Sequence, residues 1–252
     1  MEFTFGVLTS KLSENYLIDV LDSIYSQNIK KFEILLIGDT NKKFTNKNIT
    51  HINFDETQRK GWITKKKNII TDEARFENIV YMHDYLKLED NWYSGFVKHG
   101  NNFQVCTNKI LTKDNQRYRD WTLWQLNNTK FDQYLNRTRR CLLPYNVTSL
   151  SKYMYISGAY WVAKRDFMKK NKLNEDLLWG EGEDVEWSKR VRKKTIFQFN
   201  KCSTTRLLKE KDVIFKNIDG LTLQMMIDYN EKIIDQKIDK SKIYLKKVLK
   251  KT

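Results

Sequence analysis

Phe3 to Leu8 (FTFGVL) is a short β-rich apolar run, and the period changes directly after it. Between Glu14 and Asn28 the apolar residues Leu17, Ile18, Leu21, Ile24 and Tyr25 recur at helical spacing. Phe32 to Ile37 (FEILLI) is a second continuous apolar run, closed by Gly38-Asp39. Strand, helix and strand in this rhythm predict a βαβ unit and an α/β chain built on a parallel sheet. Such sheets bind ligands outside the carboxyl ends of their strands, which singles out Thr9-Ser10 and Gly38-Asp39.

The same reading continues along the chain. A short strand near His51 to Phe54 leads through Arg59-Lys60-Gly61-Trp62 to a helix that carries Lys65-Lys66-Lys67-Asn68 and reaches about Ala74. Its cations could neutralise a diphosphate, or could simply be an exposed lysine face. Asn78 to Met82 (NIVYM) is the next strand, ending on His83-Asp84-Tyr85, where a His-Asp pair could meet a metal or a ribose. A further strand is predicted over Asn102 to Leu111. Arg117 to Arg140 then interleaves Trp121, Trp124, Phe131 and Tyr134 with Arg119, Arg137, Arg139 and Arg140. That mixture suits sugars or stacked bases, while the helix-like spacing of Trp121 and Trp124 suits core packing equally. Tyr155 to Trp161 (YISGAYW) reads as β-rich, with Gly158 allowing a ligand close to the backbone. Arg165 to Lys170 reads as a short helix and Thr195 to Phe199 as a last strand. From about Leu221 the pattern becomes a Lys-rich amphipathic helical tail with Met225, Met226, Ile233, Ile234, Ile238, Ile243, Tyr244, Leu245, Val248 and Leu249. Such a tail packs on its domain, pairs with a second chain as a homodimer, or lies peripherally on a membrane, the first two being commoner.

The segment Leu178 to Arg190 (LWGEGEDVEWSKR) stands apart, because Glu181, Glu183, Asp184 and Glu186 crowd around two glycines in a chain of net charge +15. Helix-starting acids and a Glu186–Arg190 surface pair account for some of this. A carboxylate beside an aromatic residue and flexible backbone can also take a proton from a substrate hydroxyl. Hydrophobic content of 40% over 252 residues describes a globular chain able to bury a full core. No run approaches a membrane span, and the N-terminus shows no basic-then-apolar leader, so the expected location is cytoplasmic. Cys106, Cys141 and Cys202 are too scattered for a disulfide framework or a thiolate zinc site. The Asn-x-Thr sequons at Asn48, Asn127, Asn136 and Asn146 are discounted for the same cytosolic expectation. Neither G-x-G-x-x-G nor a P-loop occurs, which removes most support for dinucleotide oxidoreductases and P-loop ATPases. The positive charge fits a solvated lysine surface or phosphate-rich partners.

Four blocks, FTFGVLTS with its helix, LLIGD, GWITKKKNIITDEARFENIVYMHDY and WGEGEDVEW, resemble in this order the glycosyltransferase family 2 type of GT-A enzyme, over about residues 3 to 200. The resemblance implies a GT-A, Rossmann-like fold: a central, mostly parallel sheet flanked by helices, with the helical C-terminal tail added. It implies a transferase domain over 1–220, its nucleotide-binding half about 1–100 and its acceptor and catalytic half about 101–220, followed by the tail at 221–252. It implies a nucleotide-sugar donor, with UDP as the expected nucleotide, held by Thr9, Ser10, Asp39, Lys67, Asn68, His83, Asp84 and Gly158. His83-Asp84-Tyr85 stands where the family has Asp-x-Asp with only one carboxylate left, so either Asp84 carries a divalent cation, Mn2+ or Mg2+, with His83 assisting, or the site binds metal weakly. Asp184 would be the catalytic base, with Glu183 an acceptor or donor-sugar contact and Trp179, Glu181 and Trp187 facing a glycan, lipid-linked or protein acceptor. Inversion at the anomeric carbon needs that one base and stabilisation of the departing diphosphate, with no covalent nucleophile. The competing readings are a basic nucleic-acid-binding module using the Arg/Trp segment, which this resemblance disfavours, and a nucleotidyltransferase, which needs a clearer pair of metal carboxylates.

Overall fold

The computed structural model describes residues 1–10, 14–124, 140–211 and 215–249. Strands β1 (Phe3–Leu8), β2 (Phe32–Ile37), β3 (Ile49–Ile52) and β4 (Asn78–His83) are mutually parallel, in spatial order β3-β2-β1-β4. Helix α1 (Leu17–Tyr25) joins β1 to β2, and α2 (Ile63–Glu73) precedes β4. The sheet continues through β10 (Tyr160–Lys164), β6 (Val105–Leu111), β11 (Gln198–Leu207) and β5 (Leu86–Leu88) to eight strands. Only β10 and β5 run against the rest. A small second sheet is formed by β7 (Thr122–Trp124), β8 (Arg140–Leu142) and β9 (Met154–Tyr155). The remaining helices are α3 (Trp92–His99), α4 (Arg165–Lys169), α5 (Glu183–Val191) and α6 (Gly220–Leu249). This is the GT-A architecture the resemblance implied.

Alternation along β1 explains the layering. Phe3, Phe5 and Val7 face one side, where they meet Leu17, Val20 and Ile24 of α1 and Trp92 and Phe96 of α3. The opposite face packs Ile70 of α2, Met168 of α4, Trp187 and Val191 of α5 and Met226 of α6. At the centre of β1 a Cβ on Gly6 would overlap the Ile70 side chain, so this glycine is what lets α2 lie directly on the strand.

The predicted elements hold with differences that have local causes. The run Tyr155–Trp161 divides: Met154–Tyr155 joins the small sheet, Tyr160 begins β10, and residues 156–159 cross between them. The expected strand at Thr195–Phe199 is instead Gln198–Leu207, bent by a register shift between Asn200 and Thr204. Trp121 is core, fully buried, and donates its indole N–H to Val147 O. Phe131, Tyr134, Arg137 and Arg139 lie outside the described residues. The first turns of the tail pack on the domain, with Thr222, Met226 and Asn230 buried at four-residue spacing and Asn230 Nδ2 donating to Ser149 O. The side chains of Ile233, Ile234, Ile238 and those beyond lie outside the described residues. The three cysteines are free, and among the described residues no helix is long and apolar enough to cross a membrane.

Candidate active site

Register brings the site together. Leu8 of β1 lies beside His83 of β4, so Thr9-Ser10 and His83-Asp84 emerge at one edge of the sheet. Because β10 is antiparallel to β4, the residues leading into it reach the same edge, and His83 N donates to Ala159 O at 3.3 Å. Gly158 therefore sits against the end of β4. It is contacted from two sides: its N–H donates to Asp184 Oδ2 at 2.8 Å, and its carbonyl accepts Lys67 Nζ at 2.8 Å. A Cβ there would meet Asp184 Oδ2 and Glu183 Oε1 at 3.3 Å, so glycine lets the acidic pair approach the sheet edge.

The acidic segment is aimed by its own backbone and by α2. Gly180 and Gly182 take φ of 87° and 79°, a left-handed turn that glycine adopts without steric cost. The turn ends with Glu183 and Asp184 in the first turn of α5, where the helix dipole favours carboxylates. The chain before it is pinned to the residues around α2. Arg59 donates to the carbonyls of Glu175 and Asp176, Trp62 Nε1 to Glu175 O, and Thr64 Oγ1 to Leu177 O. Asn68 bonds Leu173 in both directions, and its Nδ2 also donates to Glu175 Oε1. The Lys-rich helix is thus neither an exposed face nor a free cluster of cations. Lys65 pairs with Glu175, Lys66 with Glu56 and the Thr9 carbonyl, and Lys67 is fully buried with its ammonium 4.6 Å from the Trp161 ring.

A cavity of about 250 Å³ opens beside Gly158 and is lined by His83, Trp179, Glu183 and Asp184 of the expected residues. Burial raises the Glu183 carboxyl above its ordinary value, opposed by the Lys67 charge and reinforced by Asp184. Burial lowers Lys67 to about 8 against the pull of Glu183 and Asp184. Burial and the charges of Lys67, Lys211 and Lys66 hold His83 well below the usual histidine range, so its imidazole is neutral at pH 7. Trp179, 68% exposed, stands at the rim with its N–H on Gly61 O.

Other expected residues fall elsewhere. Trp187 was expected to face the acceptor, but it is 1% exposed, packed between Trp161 and Phe197, with its indole N–H on Asn171 O. Burial on the sheet side of α5 removes it from any acceptor contact. Glu181 Oε2 closes its own loop on Leu178 N and lines a neighbouring cleft with Glu186 and Lys189. Thr9 Oγ1 and Ser10 N both donate to Asp84 Oδ2, at 2.8 and 3.4 Å, and Asp39 is half-buried at the end of β2. Two cavity residues, Tyr118 and Lys211, had no reading in the sequence; Tyr85 and Tyr155 were read only as the end of the His83-Asp84-Tyr85 element and the start of a β-rich run, and Arg119 and Arg140 only as members of an Arg/Trp segment. Lys211 Nζ donates to Tyr85 Oη at 2.8 Å, a contact spanning 126 positions that no local pattern announces.

No protein-family model and no curated protein matches this chain. Solved structures do. The fold superposes on GalNAc-T7 crystallised with UDP, GalNAc and Mn2+ (TM-score 0.59, 15% identity, 84% of this chain and 44% of that one). It also superposes on S. aureus TarS (TM-score 0.56, 15% identity, 83% and 37%) and on its 1–349 portion with UDP-GlcNAc (TM-score 0.58, 15% identity, 84% and 60%). At that identity the likeness is one of fold, the GT-A fold, and the chain spans less than two thirds of each neighbour's length. The Mn2+ beside GalNAc-T7 prompts a comparison with the donor set here. Asp84 is 1% exposed, its Oδ2 is held by Thr9 and Ser10, and the cavity is lined by His83 and Tyr85 on either side of it but not by Asp84. Among the described residues no three His, Cys, Asp or Glu side chains converge as a metal group. Among the described residues this donor set does not fit a divalent cation held by the protein itself.

Proposed function

We propose that the protein is an inverting glycosyltransferase of the family 2 kind, moving a sugar from a nucleoside-diphosphate donor, UDP in the first instance, to an acceptor hydroxyl. The observation that carries this reading is the meeting of Asp184, Glu183 and Gly158 at the carboxyl edge of a GT-A sheet, in a cavity with an exposed tryptophan at its rim. Asp184 accepts the proton of the acceptor hydroxyl as its oxygen attacks the anomeric carbon. The bond from that carbon to the diphosphate oxygen breaks, and its electron pair leaves with the nucleoside diphosphate. Glu183, buried beside Lys67, contacts the transferred sugar, and Trp179 offers an aromatic face to the acceptor. The sugar and diphosphate are assigned to the cavity of about 250 Å³, and the nucleoside to the adjacent sheet edge, where Thr9 is buried on Asp84 and Ser10 and Asp39 are half-buried. Asn68 and Lys67 act from beneath, fixing the acidic loop and the Gly158 carbonyl.

GT-A neighbours crystallised with UDP and with UDP-GlcNAc support this choice of donor class. Of the Arg/Trp segment that a nucleic-acid module would use, Trp121 is core and Trp124 stacks on Arg140 at the cavity. A thermal-shift panel of nucleoside diphosphates and nucleotide sugars tests the reading, since a ligand of the native state raises Tm. A rise with at least one uridine nucleotide is expected, and no response to any nucleotide refutes it.

A further inference from the structure

Three cations line the cavity that holds Glu183 and Asp184: Arg119, Arg140 and Lys211. Among the described residues none of the three is paired with a carboxylate. Arg119 sits at φ 46°, a strained conformation for a side-chain-bearing residue, and its guanidinium lies 5.3 Å from the Tyr118 ring and 5.0 Å from the Phe215 ring. Its Nε is buried without a hydrogen-bond partner among the described residues. Arg140 stacks on Trp124 at 3.8 Å. Lys211 is fixed by the Tyr85 hydroxyl and ring, at 2.8 and 4.2 Å. Burial and the nearby Arg119 and Lys209 press its ammonium down to about 8, the sign of a cation held where folding alone gains nothing from it. Lys211, buried and without a carboxylate partner in the described chain, repays that cost when an anion enters the cavity.

Resting on the transferase reading above, we infer that Lys211, Arg119 and Arg140 form a diphosphate clamp that takes up the leaving-group charge in place of a divalent cation. The lysines of α2 do not serve, because their charges are spent on Glu175, Glu56, Thr9 and Gly158. Arg119 brings a guanidinium whose buried Nε–H has no partner among the described residues, Lys211 a rotatable ammonium, and Arg140 a guanidinium whose face is already fixed on Trp124. Charge-assisted bonds from such groups to phosphate oxygens strengthen as the anomeric bond breaks and negative charge collects on the diphosphate. The donor can then bind and react without metal.

The test is calorimetric titration of the full chain, treated with a chelator, using UDP, uridine and inorganic pyrophosphate as probes, each repeated with added Mn2+. UDP and pyrophosphate are expected to bind the chelated protein, with UDP affinity changing less than about threefold on adding Mn2+. Lys211→Met is expected to weaken both at least about tenfold and leave uridine unaffected, while Lys211→Arg retains binding. An unchanged Tm in each variant shows that folding is not the cause, and Arg119→Gln gives a second, independent reading with the same expected loss. UDP that binds only with Mn2+, and equally well to Lys211→Met, overturns the clamp while leaving the transferase reading in place. Pyrophosphate bound through Lys211 with no preference for UDP overturns the transferase reading and keeps the anion site. Failure of both probes under every condition overturns both.

Discussion

Replacing Lys67 by Met isolates the electrostatics beneath the acidic pair. Lys67 is fully buried, with Nζ 2.8 Å from the Gly158 carbonyl, and an added Cβ on Gly158 would stand 3.3 Å from Glu183 Oε1 and from Asp184 Oδ2. The ammonium is therefore one residue's width from both carboxylates. For a separation of roughly 7 Å and an effective dielectric of about 20, each attraction is about 2 kcal/mol. Burial already lifts Glu183 above its ordinary value with Lys67 pulling it down, so losing the cation raises it further. The assay is NMR titration of the Glu183 carboxyl in protein labelled with 13C at glutamate side chains, comparing wild type with Lys67→Met. Met preserves length and apolar volume, so Tm serves as the control for packing. The Glu183 midpoint is expected to move up in Lys67→Met, because the cation that pulls it down is gone. A midpoint unmoved in a folded variant refutes the claim that Lys67 pulls the Glu183 carboxyl down against burial.

Trp187→Ala should destabilise the fold by about 3–5 kcal/mol in urea unfolding, because it empties a packed core site; a loss below about 1 kcal/mol would mean that Trp187 is not core. Gly158→Ala places a methyl within 3.3 Å of both carboxylates, so donor turnover should fall at least about tenfold with little change in Tm; unchanged turnover would show that the close approach is dispensable. UDP affinity should decline as pH rises through about 8, because Lys211 is charged below that pH and neutral above it; a flat profile to pH 9 in wild type would remove Lys211 from the diphosphate.

The parallel half of the fold is legible because fully buried parallel strands read as continuous apolar runs, as in FEILLI and NIVYM, and α1 shows a clean helical stripe. Helix α3 carries no such sign. It is eight residues long and interrupted by Gly95, whose missing Cβ is needed against the Cys202 and Ser203 segment. The division of Tyr155–Trp161 between two sheets has no local cue either, since both strands are apolar and only long-range pairing separates them. Within the site, the acidic loop was readable from charge density and paired glycines. Trp187 could have been placed correctly from its four-residue spacing to Val191, which marks the buried face of α5. The clamp cations could not, because Arg119, Arg140 and Lys211 are lysines and arginines among 46 and meet only through the tertiary fold.

In the function proposed above, Asp184 is the base of a nucleotide-sugar transferase. Its most direct test is release of nucleoside diphosphate from a panel of UDP-sugars, by wild-type protein and by Asp184→Asn at matched Tm. Release from at least one donor, reduced by about 10²–10⁴-fold in Asp184→Asn, is the predicted result. Release that survives the substitution undiminished would contradict it.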